Sequence, residues 1–174
     1  RTGVLTQSPP LDAVGVFGRT LQDVALLAQV LAGHDAQDAL TRPRATPPLL
    51  HMAHADASML PTLAWVQTPF WDRVAPDAQA AFGELVGLLA GRIAPFELPA
   101  SAADAVQWHH TLMEADLAGS FELEYERGRD QLSVSLRGQI ERGRAITAVA
   151  YRQALARVPL LLQALDTVFD HYDA

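Results

Sequence analysis

The chain contains no lysine: all thirteen of its cationic residues are arginines. Arginine stays protonated at any working pH, so no cationic side chain here can act as a base. Cysteine is also absent. That removes a disulfide framework and any thiolate metal site, and it leaves the redox compartment open. Long apolar runs are missing too. Stretches such as Val158 to Leu162 fall far short of the ~20 residues a membrane-spanning helix needs. With a net charge of -7 and no basic cluster, the chain lacks the gathered Lys and Arg that phosphate binding requires, which argues against nucleic acid as a partner. No H-E-x-x-H zinc motif and no G-x-S-x-G turn occurs.

What is present is enough for a folded body. The 174 residues are 49% hydrophobic, which fits one domain on the usual scale of about 100 to 200 residues. The sequence opens on Arg1 and shows no charged-then-apolar signal pattern, features expected of an internal segment. Cytoplasm is the expected location.

Local signals divide the chain into elements. Thr20 and Asp23 form a capping-box pair, and Leu21, Val24, Leu27, Ala28 and Leu31 recur at helical spacing, predicting a helix over 21–32 with Gly33 as a left-handed stop. From His34 to Pro61 periodicity is lost, and the prolines at 43, 47, 48 and 61 predict a long loop. Leu63–Val66 reads as a buried strand. Pro76 opens a helix with Phe82, Leu85, Val86 and Leu89 on one face, which Gly91 ends. Ile93–Leu98 reads as a second strand, which Pro95 confines to an edge. Strand, helix and strand make a parallel, right-handed βαβ unit.

The remainder is mainly helical. Ser101 and Asp104 suggest a cap for a helix to about Glu124, with Val106, His110, Met113 and Leu117 on its stripe. The stretch 130–144 is ambiguous, because Leu132, Val134 and Leu136 alternate like a strand while Arg137 to Glu141 favours a helix; it is treated as a connector. Tyr151, Leu155, Val158, Leu162, Leu165, Phe169 and Tyr172 are spaced as one helical stripe. Pro159 inside it predicts a kink or break near Val158.

Leu11-Asp12-Ala13-Val14-Gly15, then Gly18-Arg19-Thr20, Asp23 and Leu31-Ala32-Gly33-His34-Asp35 resemble the segment of amidase signature hydrolases just downstream of their Gly/Ser-rich catalytic region. The resemblance continues through LAWVQTPFWD at 63–72, the helix DAQAAFGELVGLLAG, Glu97-Leu98-Pro99 and the tail FDHYDA, so it covers nearly the whole chain. It implies an α/β fold: a partial amidase-like fold with a small parallel or mixed sheet covered by helices, 1–174 being a single segment of the domain. It also implies hydrolysis of a carboxylic amide through a Ser, a Ser in a cis peptide and a Lys base, with backbone N–H groups of a Gly-rich loop holding the oxyanion. None of that machinery maps here, because lysine, Ser-Ser and Gly-Gly are all absent. The segment is therefore expected to supply sheet, outer helices and part of the acyl pocket. On its own it is expected to be inactive, with no catalytic residue, no metal and no cofactor.

Individual residues offer rival readings. Asp12 and Arg19 could support an active site from behind; the plainer reading has Asp12 capping a turn and Arg19 satisfying local carbonyls. His51 and His54, His109 and His110, and His34 beside Asp35 and Asp38 suggest metal ligation, but none converges as three zinc ligands must. Ser120 follows Gly119 but falls on a predicted helix. Trp65, Phe70, Trp71 and Trp108 could wall an apolar pocket, although such rings more often form core. The run Glu122, Glu124, Glu126, Arg127 and Arg129 reads as a solvated face. A small-molecule amide is the expected ligand of the parent enzyme, and neither nucleic acid nor membrane is expected as partner. The alternative is a non-catalytic interaction or assembly module derived from an amidase fold, self-associating through uncovered faces.

Overall fold

The computed structural model describes residues 1–56, 59–99 and 102–174. The chain divides into two compact units, Arg1–Ser58 and Met59–Ala174.

In the first unit, α1 (Leu21–Leu31) starts as its sequence dictates. The Thr20 hydroxyl accepts from Asp23 N–H at 3.1 Å, and the Asp23 carboxylate accepts from Thr20 N–H at 3.2 Å, so two orphan donors of the first turn are satisfied reciprocally. The helix stops at Ala32 in extended backbone (φ −70°, ψ 124°), and Gly33 is not among the left-handed residues. A second helix, α2 (Leu49–His54), interrupts the expected loop and packs against α1. Its Pro48 N-cap offers no side-chain acceptor. Instead Leu50 N–H donates to Gln29 Oε1 (3.0 Å) and Gln22 Nε2 donates to the Ala53 carbonyl (3.3 Å), so α1 supplies what local sequence does not.

The second unit opens with β1 (Leu63–Val66), followed by a 3-10 turn at Trp71–Arg73, α3 (Pro76–Leu88) and β2 (Ile93–Phe96). β1 and β2 pair in parallel with Leu63 opposite Ile93 and Trp65 opposite Pro95, as the strand–helix–strand pattern requires. Gly91, at φ 86°, turns the chain from α3 into β2 in a conformation that suits glycine. The rings of Trp65, Trp71 and Phe82 lie 5.2 to 5.8 Å apart in edge and tilted contacts, joining strand, turn and helix. Gln79 Nε2 donates to the carbonyls of Trp71 (2.8 Å) and Val74 (3.0 Å), fixing the turn against α3.

Helices fill the rest: α4 (Ala105–Ser120), α5 (Glu122–Gly128), α6 (Val134–Arg144) and α7 (Ala148–Phe169). The cap expected at Ser101 lies outside the described residues, and Asp104 makes no side-chain cap. The single helix expected to Glu124 breaks at Phe121, whose ring is buried with Leu117, Ala118 and Ile140 in the core cluster. On α4 the inward residues are Leu112, Leu117 and Ala118, while Val106 and His110 are exposed. The ambiguous 130–144 stretch resolves as α6, capped by Ser133, whose hydroxyl accepts from Leu136 N–H. Leu132, Leu136 and Ile140 pack inward at a spacing of four, and Val134 points to solvent. α7 runs through Pro159 without a break, on its exposed side. Its buried positions are Ala154 and Val168, and Leu162 and Phe169 of the expected stripe are exposed.

Candidate functional site

A groove of about 570 Å³ lies between the C-terminal half of α4 and the corner joining α6 to α7. Small residues shape it. Gly143 brings α6 against the α4 backbone at Glu114, and Ala115, Ala118 and Gly119 form the floor. Thr147 caps α7, its hydroxyl accepting from Ala150 N–H at 3.1 Å. One turn on, the Tyr151 hydroxyl donates to Asp116 Oδ1 at 2.8 Å. Burial first, then the bond to Asp116, pushes the Tyr151 phenol above its ordinary value. Arg144 and Arg152 also line the groove, and the Arg144 guanidinium stacks 4.3 Å above the Tyr125 ring. A neutral phenol, a carboxylate and two cations can bind or orient a polar group. No serine or histidine lines the groove, so it offers no serine nucleophile and no imidazole base.

A hollow of about 390 Å³ in the first unit is lined by Arg1, Asp12 and Asp38. The Arg1 guanidinium grips Asp38 through Nε to Oδ2 (2.9 Å) and a second nitrogen to Oδ1 (3.0 Å), and it also donates to the carbonyls of Pro9 and Asp12. Asp12 accepts from Gln7 N–H (2.9 Å) and Ser8 N–H (3.0 Å), which makes it the turn cap of the plainer reading. Arg19 is exposed and, among the described residues, has no hydrogen-bond partner, so it does not satisfy local carbonyls.

The histidines stay apart. His51 and His54 lie exposed on α2, His34 Nδ1 meets Thr41 Oγ1 at 3.2 Å, and the exposed rings of His109 and His110 stand 6.3 Å apart at 88°. Among the described residues no three His, Asp or Glu side chains are grouped to hold a metal ion. Ser120 is the last residue of α4. Trp65 and Trp71 form the aromatic cluster with Phe82, and Phe70 carries the Arg73 guanidinium at 5.6 Å. Trp108 lines a separate hollow of about 290 Å³ between α4 and α7. Arg129 donates to Tyr125 (2.9 Å) and Glu141 (2.6 Å), an exposed α5–α6 network rather than a site. The Asp116–Tyr151 pair has no signature in the sequence, because residues 35 apart share no local pattern. No helix is long and apolar enough to cross a membrane among the described residues.

In fold the chain is amidase-like. A crystal structure of an amidase superposes with a TM-score of 0.68 over 94% of this chain and 34% of its own length, at 20% identity. A second solved chain, from an inhibitor-bound vestigial protein complex bearing on the origins of an s-triazine catabolic enzyme, reaches 0.74 over 88% of this chain and 33% of its own, at 13% identity. In sequence the chain is similar to one of the subunits of glutamyl-tRNA(Gln) amidotransferase. The Psychrobacter sp. (strain PRwf-1) protein is 47% identical over 47 residues, 27% of this chain and 9% of that protein. The Carboxydothermus hydrogenoformans protein is 30% identical over 97 residues, 56% of this chain and 20% of that one. The chain thus spans about a third of the solved chains and a fifth or less of these curated relatives. No family model matches it. The amidase resemblance and the partial α/β fold it implied are borne out.

Proposed function

We propose that this chain is the non-catalytic part of an amidase-type hydrolase, a single segment of that domain supplying sheet, covering helices and a wall of the acyl pocket. The parent reaction is hydrolysis of a carboxylic amide through an acyl-enzyme, with a Ser, a cis-peptide Ser and a Lys provided by sequence outside this chain. One observation carries the reading: an amidase-like fold in a chain without lysine, Ser-Ser or Gly-Gly. The ligand of the whole enzyme is then a small-molecule amide, neither nucleic acid nor membrane is a partner, and the location is cytoplasmic. No metal or cofactor enters the reaction. An ammonia-release assay over a panel of primary carboxamides tests the inactivity of the chain alone, with no turnover expected. Turnover abolished by replacing any one serine would defeat it. The coding sequence on the 5′ side of Arg1 tests the rest: a lysine followed by a Gly/Ser-rich stretch with a Ser-Ser pair supports the reading, and an open stretch without them overturns it.

An assembly role is the second reading, favoured by the exposure of Leu26, Leu27, Val30 and Leu31 along one side of α1. Size-exclusion chromatography at two concentrations separates the two. A monomer unaffected by concentration removes self-association.

A further inference from the structure

The groove of about 570 Å³ at the α6–α7 corner is built from two helix faces. Ala115, Ala118 and Gly119 share one side of α4 at three- and four-residue spacing, and Ala148, Tyr151 and Arg152 share one side of α7 in the same way. The two glycines of the groove differ in kind. A Cβ at Gly143 would enter the Glu114 carbonyl group, so glycine there is a condition of the helix crossing. A Cβ at Gly119 would meet no heavy atom within 4 Å, so glycine there leaves open space over an apolar floor. The rim carries the charge. The Arg144 guanidinium is set 4.3 Å over the Tyr125 ring, a contact that holds the group while leaving its N–H donors unbonded. Arg152 stands one residue beyond Tyr151. Neither arginine forms an ion pair among the described residues, whereas Arg129 and Arg142 nearby are paired with Glu141 and Glu114. Two acids share the rim. Asp116 is engaged by the Tyr151 hydroxyl at 2.8 Å, Glu122 forms no ion pair with either arginine, and both repel a second negative charge.

We propose that this groove binds a monocarboxylate with a compact apolar body, its carboxylate taken by Arg144 and Arg152 and its apolar part resting on Ala118 and Gly119. An apolar floor with a few convergent polar groups is the ordinary make-up of a small-molecule site, and unpaired guanidiniums select a carboxylate. None of these groups takes part in the amide chemistry proposed above, which the coding sequence on the 5′ side of Arg1 tests whichever way this groove behaves.

Titration of the full chain with sodium benzoate, followed by NMR at the backbone amides, tests the proposal. Saturable shifts are expected at Gly119, Gly143, Ile146 and Ala148. Benzamide keeps the shape without the charge and acetate keeps the charge without the ring; each is expected to bind about tenfold more weakly. Arg144→Gln and Arg152→Gln are each expected to weaken benzoate roughly threefold, the scale of one exposed ion pair, and to leave benzamide unchanged. Gly119→Leu fills the floor and is expected to abolish saturable binding while the urea midpoint stays at or above that of the wild-type chain. No saturable shift in the millimolar range overturns the proposal, as do shifts that map to the hollow at Trp108 instead. Benzamide binding as tightly as benzoate overturns the role of the arginines, and so does an equal loss of both ligands in the Gln variants. Benzoate binding that survives Gly119→Leu overturns the floor.

Discussion

Gly143 of α6 lies directly against the α4 backbone at Glu114: a Cβ there would enter the Glu114 carbonyl group and stand 2.9 Å from the Cβ of Ala118. The two helices cross at hydrogen-for-methyl distance, and the Arg142 guanidinium spans the same crossing to the Glu114 carboxylate, Nε to Oε1 at 2.9 Å. Gly143→Ala is therefore expected to destabilise the second unit by about 1–3 kcal/mol, the range for overpacking a tight contact. Gly87→Ala in α3 meets open space and is expected to be neutral or to stabilise by about 0.5–1 kcal/mol. Urea unfolding of both variants decides; equal effects would refute the close crossing.

Tyr151→Phe leaves the ring in place but removes the donor to Asp116, and a loss of about 1–2 kcal/mol is expected. The pH dependence has a definite sign. A phenol raised in the folded state contributes its stability fully below the unfolded value of about 10 and loses it as pH rises through the folded value. Thermal melts from pH 8 to 11, taken at about half-unit steps, should show the wild-type chain losing stability that the Phe variant never had. Parallel curves would exclude the assignment.

The Arg1 guanidinium holds the buried Asp38 carboxyl well below the usual carboxylate range. A depressed carboxyl stabilises the fold above its unfolded value of about 3.9 and is lost as pH falls through the folded value. The first unit is thus expected to keep this contribution at pH 5 and to shed it only in stronger acid. Asp38→Asn should flatten that acid limb in circular dichroism melts, and an unchanged limb would assign it elsewhere.

Pro159 sits on the exposed side of an unbroken α7, where it removes one backbone donor. Pro159→Ala is expected to stabilise by roughly 1–3 kcal/mol. A destabilised variant would show that the ring makes a contact worth more than the lost hydrogen bond.

Pro95→Val restores an outward N–H to the edge of β2. Concentration-dependent association, seen by sedimentation velocity, is expected in the variant beyond that of the wild-type chain. Identical behaviour would mean that proline is not what blocks this edge.

Where sequence signals are local, they read through to the structure. The capping box of α1, the strand at Leu63–Val66, the proline-started α3 and the parallel partner at Ile93–Phe96 all rest on residues within one turn or one strand of each other. α2 is illegible in the sequence because its termini are satisfied by Gln22 and Gln29 of another helix. α6 is ambiguous there because Leu132, Val134 and Leu136 alternate, yet only the four-residue series Leu132, Leu136 and Ile140 packs inward. The α4 stripe misleads because burial there follows the crossing with α6, set by a glycine rather than by a run of large side chains. The absence of lysine, Ser-Ser and Gly-Gly is fully legible from composition, while the Asp116–Tyr151 pair depends on tertiary contact alone.

The clamp between Thr62 and Asp173 joins residues 111 apart and brings the two ends of the second unit side by side. The entropy of closing a chain segment rises only with the logarithm of its length, so a contact this distant in sequence costs little more to close than one a few dozen residues apart. β1 starts between two neighbours that both come from later in the chain.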